Sequence, residues 1–283
     1  MSSTTTVTSQ LVERPLSPSI GSEIHGIDLR EEQDDDTIAW IRDVLLRRKV
    51  VFFRDQDITT EQHIAFARRF GPLEIHPATP KGQEHPEVLR IAHGPDSRGR
   101  ENNWHSDVTW RTEPSLGSVL RAIEVPEYGG DTLFANMEAA YESLSPAMQA
   151  WLCTLTATHD IARVFAKRLG RSPEELHEQY PPQHHPVVRT HPETGRRSLY
   201  VNTGFTECID GLSPKESDWL LAHLYAQAAV PEHQCRFSWR ANSIAFWDNR
   251  ACQHYAASDY FPQVRVMERV TVAGDRPFFD PDR

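Results

Sequence analysis

The segment Val264-Arg265-Val266-Met267-Glu268-Arg269-Val270-Thr271-Val272 alternates as a strand does. Period two places Arg265, Met267, Arg269 and Thr271 on one face, with Val264, Val266, Glu268 and Val270 on the other. If the Met267 face is buried, its two guanidinium groups need anionic partners. At about 3.3 Å per residue they stand about 13 Å apart along the strand. That is too far to share one small carboxylate and suits two anions side by side, each held by a planar fork. The other reading is a pair of surface arginines on an edge strand.

Working outward, Cys235 to Trp239 and Ser243 to Trp247 make the C-terminal third strand-rich. Pro186 to Thr190 and Ser198 to Val201 flank a polar turn and predict a hairpin. Ser118 to Val125 and Thr132 to Ala135 read as strands, and Val50-Val51-Phe52-Phe53 as a buried one. Helices are expected after Asp34-Asp35-Asp36, with Ile38, Ile41, Val44 and Leu45 as the buried stripe, and after Thr59 or Thr60. The Ser-Pro starts at Ser145, Ser172 and Ser213 predict three more. His76 to Asn103 reads as a long loop around one strand, Val88 to Ile91. Helices early and strands late predict an α+β fold with a β-core. Residues 1–12 are expected to be disordered and 13–283 to form one domain.

The chain has 283 residues, 39% of them hydrophobic and 25% charged, with a net charge of −10. No basic block and no long apolar run occur, which argues against nucleic acid and membranes as partners. Cys153, Cys208, Cys235 and Cys252 form no CxxC pair and read as reduced thiols. No signal peptide is discernible at Met1 to Gln10, so a cytoplasmic location is expected.

Trp104-His105-Ser106-Asp107-Val108-Thr109 places an imidazole and a carboxylate two residues apart. In extended backbone both point the same way, and a third ligand would complete the 2-His-1-carboxylate triad of non-heme Fe(II) oxygenases. His-x-Asp alone is a weak signal among fourteen histidines. His254, just past the Phe246-Trp247-Asp248-Asn249 strand end, is the candidate third ligand, against a histidine satisfied by backbone. His159-Asp160 and His184-His185 lack a matching partner set. His63, His177 and His223 read as surface or satisfied residues on helices, and Trp151, Trp239 and Trp247 as core.

Together, Trp104 to Thr109, Gly129-Gly130-Asp131-Thr132-Leu133, Tyr200 to Thr206 and Trp247-Asp248-Asn249-Arg250 to His254 resemble the taurine dioxygenase family. The resemblance runs from about Ile20 to Pro277. It implies a double-stranded β-helix, or jelly roll, with helices packed outside it. It further implies Fe(II) held by His105, Asp107 and His254, with 2-oxoglutarate as cosubstrate and O₂ as oxidant. Arg265 and Thr132 match the residues that take the distal carboxylate of 2-oxoglutarate, and Arg269 the arginine that takes a taurine sulfonate. His76, Val108, Phe165 and Phe205 match substrate-pocket positions.

Two positions depart from the taurine pattern. Thr79 stands where a tyrosine is usual, implying extra room, and Glu101 stands where an asparagine is usual. A carboxylate there would attract an amine or repel a nearby sulfonate. The expected reaction is hydroxylation of a small anionic substrate, taurine or a related organosulfonate, releasing sulfite. The alternatives within the family are alkyl sulfates and aryloxyalkanoates. A metal-binding jelly-roll sensor is the non-enzymatic alternative, and it has no use for Thr132 and two inward arginines. Relatives of this kind often form homo-oligomers.

Overall fold

In the computed structural model, residues 11–76, 79–80 and 82–283 are described, with backbone alone at Arg168. The expected disordered stretch therefore lies mostly outside the described residues, and the first strand begins at Val12. The chain mixes helices and sheets, as the α+β expectation required.

The largest sheet runs in the order Val12–Pro15, Ser22–His25, Val50–Phe53, Ile244–Asp248, Gly117–Glu124 and Arg265–Val272. Leu73–Glu74 and Val88–His93 then pair with Arg265–Val272. The arginine-bearing strand thus has neighbours on both sides, which removes the edge-strand reading. A three-stranded sheet of Gln234–Phe237, Thr132–Asn136 and Cys252–Ala256 faces the large one.

Alternation in the central strands decides what each face meets. Val51, Phe53, Val119, Ile244, Phe246, Val270 and Val272 point into one core with the helical residues Ile38, Ile41, Val44, Leu45, Ile64 and Ala67. Their neighbours Val50, Phe52, Leu120, Ala122, Ala245, Trp247 and Met267 point into a second core with Phe134 and Phe237 of the opposing sheet. Phe52 and Phe237 stack there at 4.0 Å between centroids. A third core joins the Val188–Thr190 and Arg197–Leu199 hairpin to the Pro214–Ala228 helix.

The helices start where side chains satisfy their free N–H groups. Asp34 caps Asp35–Arg48, and a Thr59/Gln62 capping box opens Thr60–Arg68. Trp151 departs from expectation at 39% exposure, because the Pro146–Leu152 helix buries only Leu152. No helix among the described residues is long and apolar enough to cross a membrane.

A buried ion pair braces this framework. Lys49 closes the first helix in the left-handed region at φ 66°, and its carbonyl accepts from Asp248 N. Its ammonium lies 2.7 Å from the fully buried Glu138 carboxylate, which Arg196 also approaches at 3.0 Å. Removing Lys49 leaves the buried Glu138 charge with only the half-exposed Arg196 beside it. Lys49→Met is expected to cost about 3 kcal/mol, read as a lower urea midpoint at unchanged slope. The Lys49→Met/Glu138→Leu double variant should recover most of that loss; equal loss in both variants would contradict this account.

Burial also holds three histidines neutral. His63, whose Nε2–H donates to Val119 O at 3.0 Å, and His185, donating to Arg111 O, are both pushed down to about 4. His159 is likewise held well below its ordinary value, by burial and then by His185. An unfolded chain protonates these rings near 6.5, so between about 6.5 and 4 it binds more protons than the fold. Stability should therefore fall as pH drops through that window. Melting temperatures across it check this, and His63→Gln should flatten the slope; an unchanged slope in that variant would count against the assignment.

Candidate active site

His105, Asp107 and His254 converge, with ligand atoms all within 4.8 Å of one another. The extended reading of Trp104 to Thr109 needs correction. His105 forms only an isolated bridge to His254, with N–H···O distances of 3.1 and 2.8 Å, and a turn begins at Asp107. Val108 adopts φ 48°, a region that a β-branched residue enters only under strain. His254 does lie past the end of the Ile244–Asp248 strand, but inside the next strand, Cys252–Ala256, two residues along.

Each group is oriented from outside the cluster. His105 Nδ1–H donates to Asn103 O at 2.9 Å, which turns the Nε2 lone pair towards the cluster. Asp107 Oδ2 accepts from Ser118 Oγ at 2.8 Å and from Asn249 Nδ2 at 3.3 Å. Its Oδ1 accepts from Arg269 Nη1 at 2.8 Å and lies 4.0 Å from His254 Nε2. Burial opposes the Asp107 charge, but Arg269 foremost, then His254 and His105, hold the carboxyl well below its usual range. Burial, and then His105, lower His254 to about 3. A deprotonated carboxylate beside a neutral imidazole is the protonation state a divalent metal requires.

The two arginines have different surroundings. Arg265, 6% exposed, packs on Gly130 and stands 5.9 Å from each of the Trp239 and Tyr260 rings. Its Nε and Nη2 find no acceptor among the described residues, so a buried fork is left for an external anion. Thr132 lies behind the same indole, accepting from Trp239 Nε1 at 2.9 Å. Arg269 already shares Asp107, while its Nε is without a hydrogen bond among the described residues.

A cavity of about 340 Å³ opens over His105, Asp107 and Arg269. His76, Val108, Phe165 and Phe205 all line it, as do Leu89, Ile91 and His93, which oppose Arg269, Met267 and Arg265 across the sheet. Thr132, Arg265 and His254 are not in its wall. Glu101 is, but its carboxylate lies 3.3 Å from His93 Nε2 and accepts from Arg100 N. Thr79 faces a neighbouring cleft of about 650 Å³ that shares only the His76 wall, so the room it leaves lies there. The Ala162–Leu169 helix, which carries Phe165 and Val164 into the wall, was not anticipated. Nor were Ser118, Asn249 and Trp239 as partners of the site; the Trp247-Asp248-Asn249-Arg250 turn was the one available signal for Asn249.

His159 and His185 form no ligand group, packing edge to face at 5.2 Å, and His184 pairs with Asp210 at 2.9 Å.

The chain as a whole is similar to known proteins. The model of the "Taurine catabolism dioxygenase TauD, TfdA family" matches residues 13–271. An alkylsulfatase of Acinetobacter baylyi is 37% identical over 95% of this chain and 86% of its own. An alpha-ketoglutarate-dependent sulfate ester dioxygenase of Pseudomonas putida is 35% identical over 95% and 91%. The crystal structure of a putative alpha-ketoglutarate-dependent taurine dioxygenase from Burkholderia xenovorans superposes with a TM-score of 0.85 at 40% identity, covering 96% of each chain. With its His-Asp-His cluster and this span of similarity, the chain belongs to the taurine catabolism dioxygenase TauD, TfdA family and is a dioxygenase.

Proposed function

We propose that this dioxygenase uses Fe(II) and 2-oxoglutarate to hydroxylate a small anionic substrate with a sulfonate or sulfate head and an apolar body. The observation that carries the reading is Arg265, a buried guanidinium with no acceptor for its Nε and Nη2 among the described residues, on the same strand as a second arginine that opens to the cavity. Two separated cations on one face suit a cosubstrate and a substrate that are both anions. The two sheets facing each other, with helices outside, are read as a jelly roll formed by residues 13–283 as one domain.

In this reading His105, Asp107 and His254 would hold Fe(II), the three-ligand set of a non-heme iron oxygenase. Iron and 2-oxoglutarate supply the oxygen chemistry, with succinate and CO₂ as coproducts. Arg265 and the Thr132 hydroxyl take the distal carboxylate of 2-oxoglutarate. Arg269 presents Nε to the substrate head group while Nη1 stays on Asp107. Val108, Phe165 and Phe205, joined by Val164 and Leu89, enclose the body and exclude water. His76 closes the wall on the side of the Thr79 cleft. Hydroxylation at the carbon bearing sulfur or ester oxygen gives a product that collapses to an aldehyde and sulfite or sulfate.

Glu101 bears on the choice of substrate. Its contact with His93 occupies the carboxylate that a substrate ammonium would need, which favours neutral-bodied sulfonates and sulfates over taurine. An aryloxyalkanoate fits the same apolar wall and remains the second reading.

Replacing His105, Asp107 or His254 by Ala should abolish turnover and metal binding, since each removes one of three protein ligands. Arg265→Ala should raise the 2-oxoglutarate KM by roughly 10- to 100-fold, the loss of a charge-assisted pair worth about 1.5–3 kcal/mol. Arg269→Ala should chiefly raise the substrate KM, and equal dependence of 2-oxoglutarate binding on both arginines would contradict the division.

Succinate formation with taurine, pentanesulfonate, an alkyl sulfate and phenoxyacetate tests the substrate class. Pentanesulfonate or the alkyl sulfate should exceed taurine. Turnover with phenoxyacetate alone would overturn the sulfonate and sulfate reading while leaving the dioxygenase intact.

A further inference from the structure

We propose that Asn249 is a positioning residue that, together with Ser118, holds Asp107 Oδ2 away from the metal, so that the carboxylate offers one oxygen only. This rests on the Fe(II) reading above. Asn249 sits in the turn between the Ile244–Asp248 and Cys252–Ala256 strands, 2% exposed, and its own N–H is bonded to Leu116 O at 2.8 Å. Its side chain makes three contacts. Nδ2 donates to Asp107 Oδ2, while Oδ1 accepts from Asp107 N at 3.2 Å and from Trp247 Nε1 at 2.9 Å.

This orientation of the amide is the only one its neighbours allow. Reversal would set NH₂ against two N–H donors and a carbonyl oxygen against a carboxylate. Asn249 therefore reads the turn around Asp107 and the Trp247 indole at once. That indole lies 4.7 Å from the His254 ring, so one side chain fixes the carboxylate ligand relative to the histidine strand.

The two oxygens of Asp107 consequently have separate duties. Oδ2 is occupied by two neutral donors, Ser118 from a strand and Asn249 from a turn, both buried. Oδ1 faces His254 and carries Arg269. Released from its donors, Oδ2 could turn towards the ion and take a second coordination position, one that the cosubstrate or O₂ would otherwise use. Holding a ligating carboxylate by its other oxygen is how outer hydrogen bonds set metal coordination.

Co(II), a redox-stable divalent probe, titrated into the full-length chain reads this without turnover. Asn249→Ala and Ser118→Ala should each bind Co(II) roughly 10- to 100-fold more weakly. Their visible d–d spectra should differ from wild type, which a merely structural role, moving the melting temperature alone, would not produce. Ser118→Ala removes one hydroxyl and keeps the test available if Asn249→Ala does not fold. Wild-type affinity and spectrum in the folded variants would overturn this inference and leave the metal site standing. Absence of Co(II) binding in the wild-type chain, as in Asp107→Ala, would overturn the metal reading and this inference together.

Discussion

Asp107 is buried and charged, and that constraint organises its surroundings. A carboxylate taken out of water survives as an ion only if its lone pairs are met. Here Arg269 comes from the Arg265–Val272 strand of the large sheet, Ser118 from the neighbouring strand and Asn249 from the turn leading to His254. Three parts of the chain, far apart in sequence, are fixed at one point by a single side chain. The same contacts keep the carboxylate deprotonated, so the stability of the centre and its readiness for a cation have one physical source.

The backbone carries the second half of the arrangement. The mutual bridge of His105 and His254 joins the loop before Asp107 to the small sheet, and close approaches maintain it. A Cβ at Gly204 would come within 3.1 Å of both His105 Cβ and Asn103 Nδ2, so the loop that carries Phe205 seats against His105 only because it is bare there. Gly130, at φ 69°, lets the aliphatic stem of Arg265 pass in the same way. The clustered side chains on loops are thus held by rigid strands behind them.

Much of this was legible because the period of the sequence matched the period of its environment. Ile38, Ile41, Val44 and Leu45 fall on one helix face and are the four buried residues there. Val50 to Phe53 lie between two cores and read as one apolar run. The Cys252–Ala256 strand was missed because Gln253, His254 and Tyr255 carry no apolar alternation; its partners, not its own residues, make it a strand. The convergence of His105 and Asp107 was argued for extended backbone, because spacing alone cannot show that Val108 turns to positive φ. The role of Asn249 was out of reach for the same reason, since its three contacts reach Asp107 across 142 positions or stay within the turn.

The two arginines show why identity in sequence does not mean identity in chemistry. Both are guanidinium groups on one face of one strand, yet Arg269 is largely neutralised by Asp107, whereas Arg265 meets rings and a glycine. An anion arriving at Arg265 gains a full charge partner in a buried site; one arriving at Arg269 must share that cation with the Asp107 carboxylate. The first position suits a cosubstrate that every turnover consumes. The second, in the proposed reading, would suit a substrate whose head group meets a guanidinium already bonded to Asp107, so that binding there would be felt at that carboxylate.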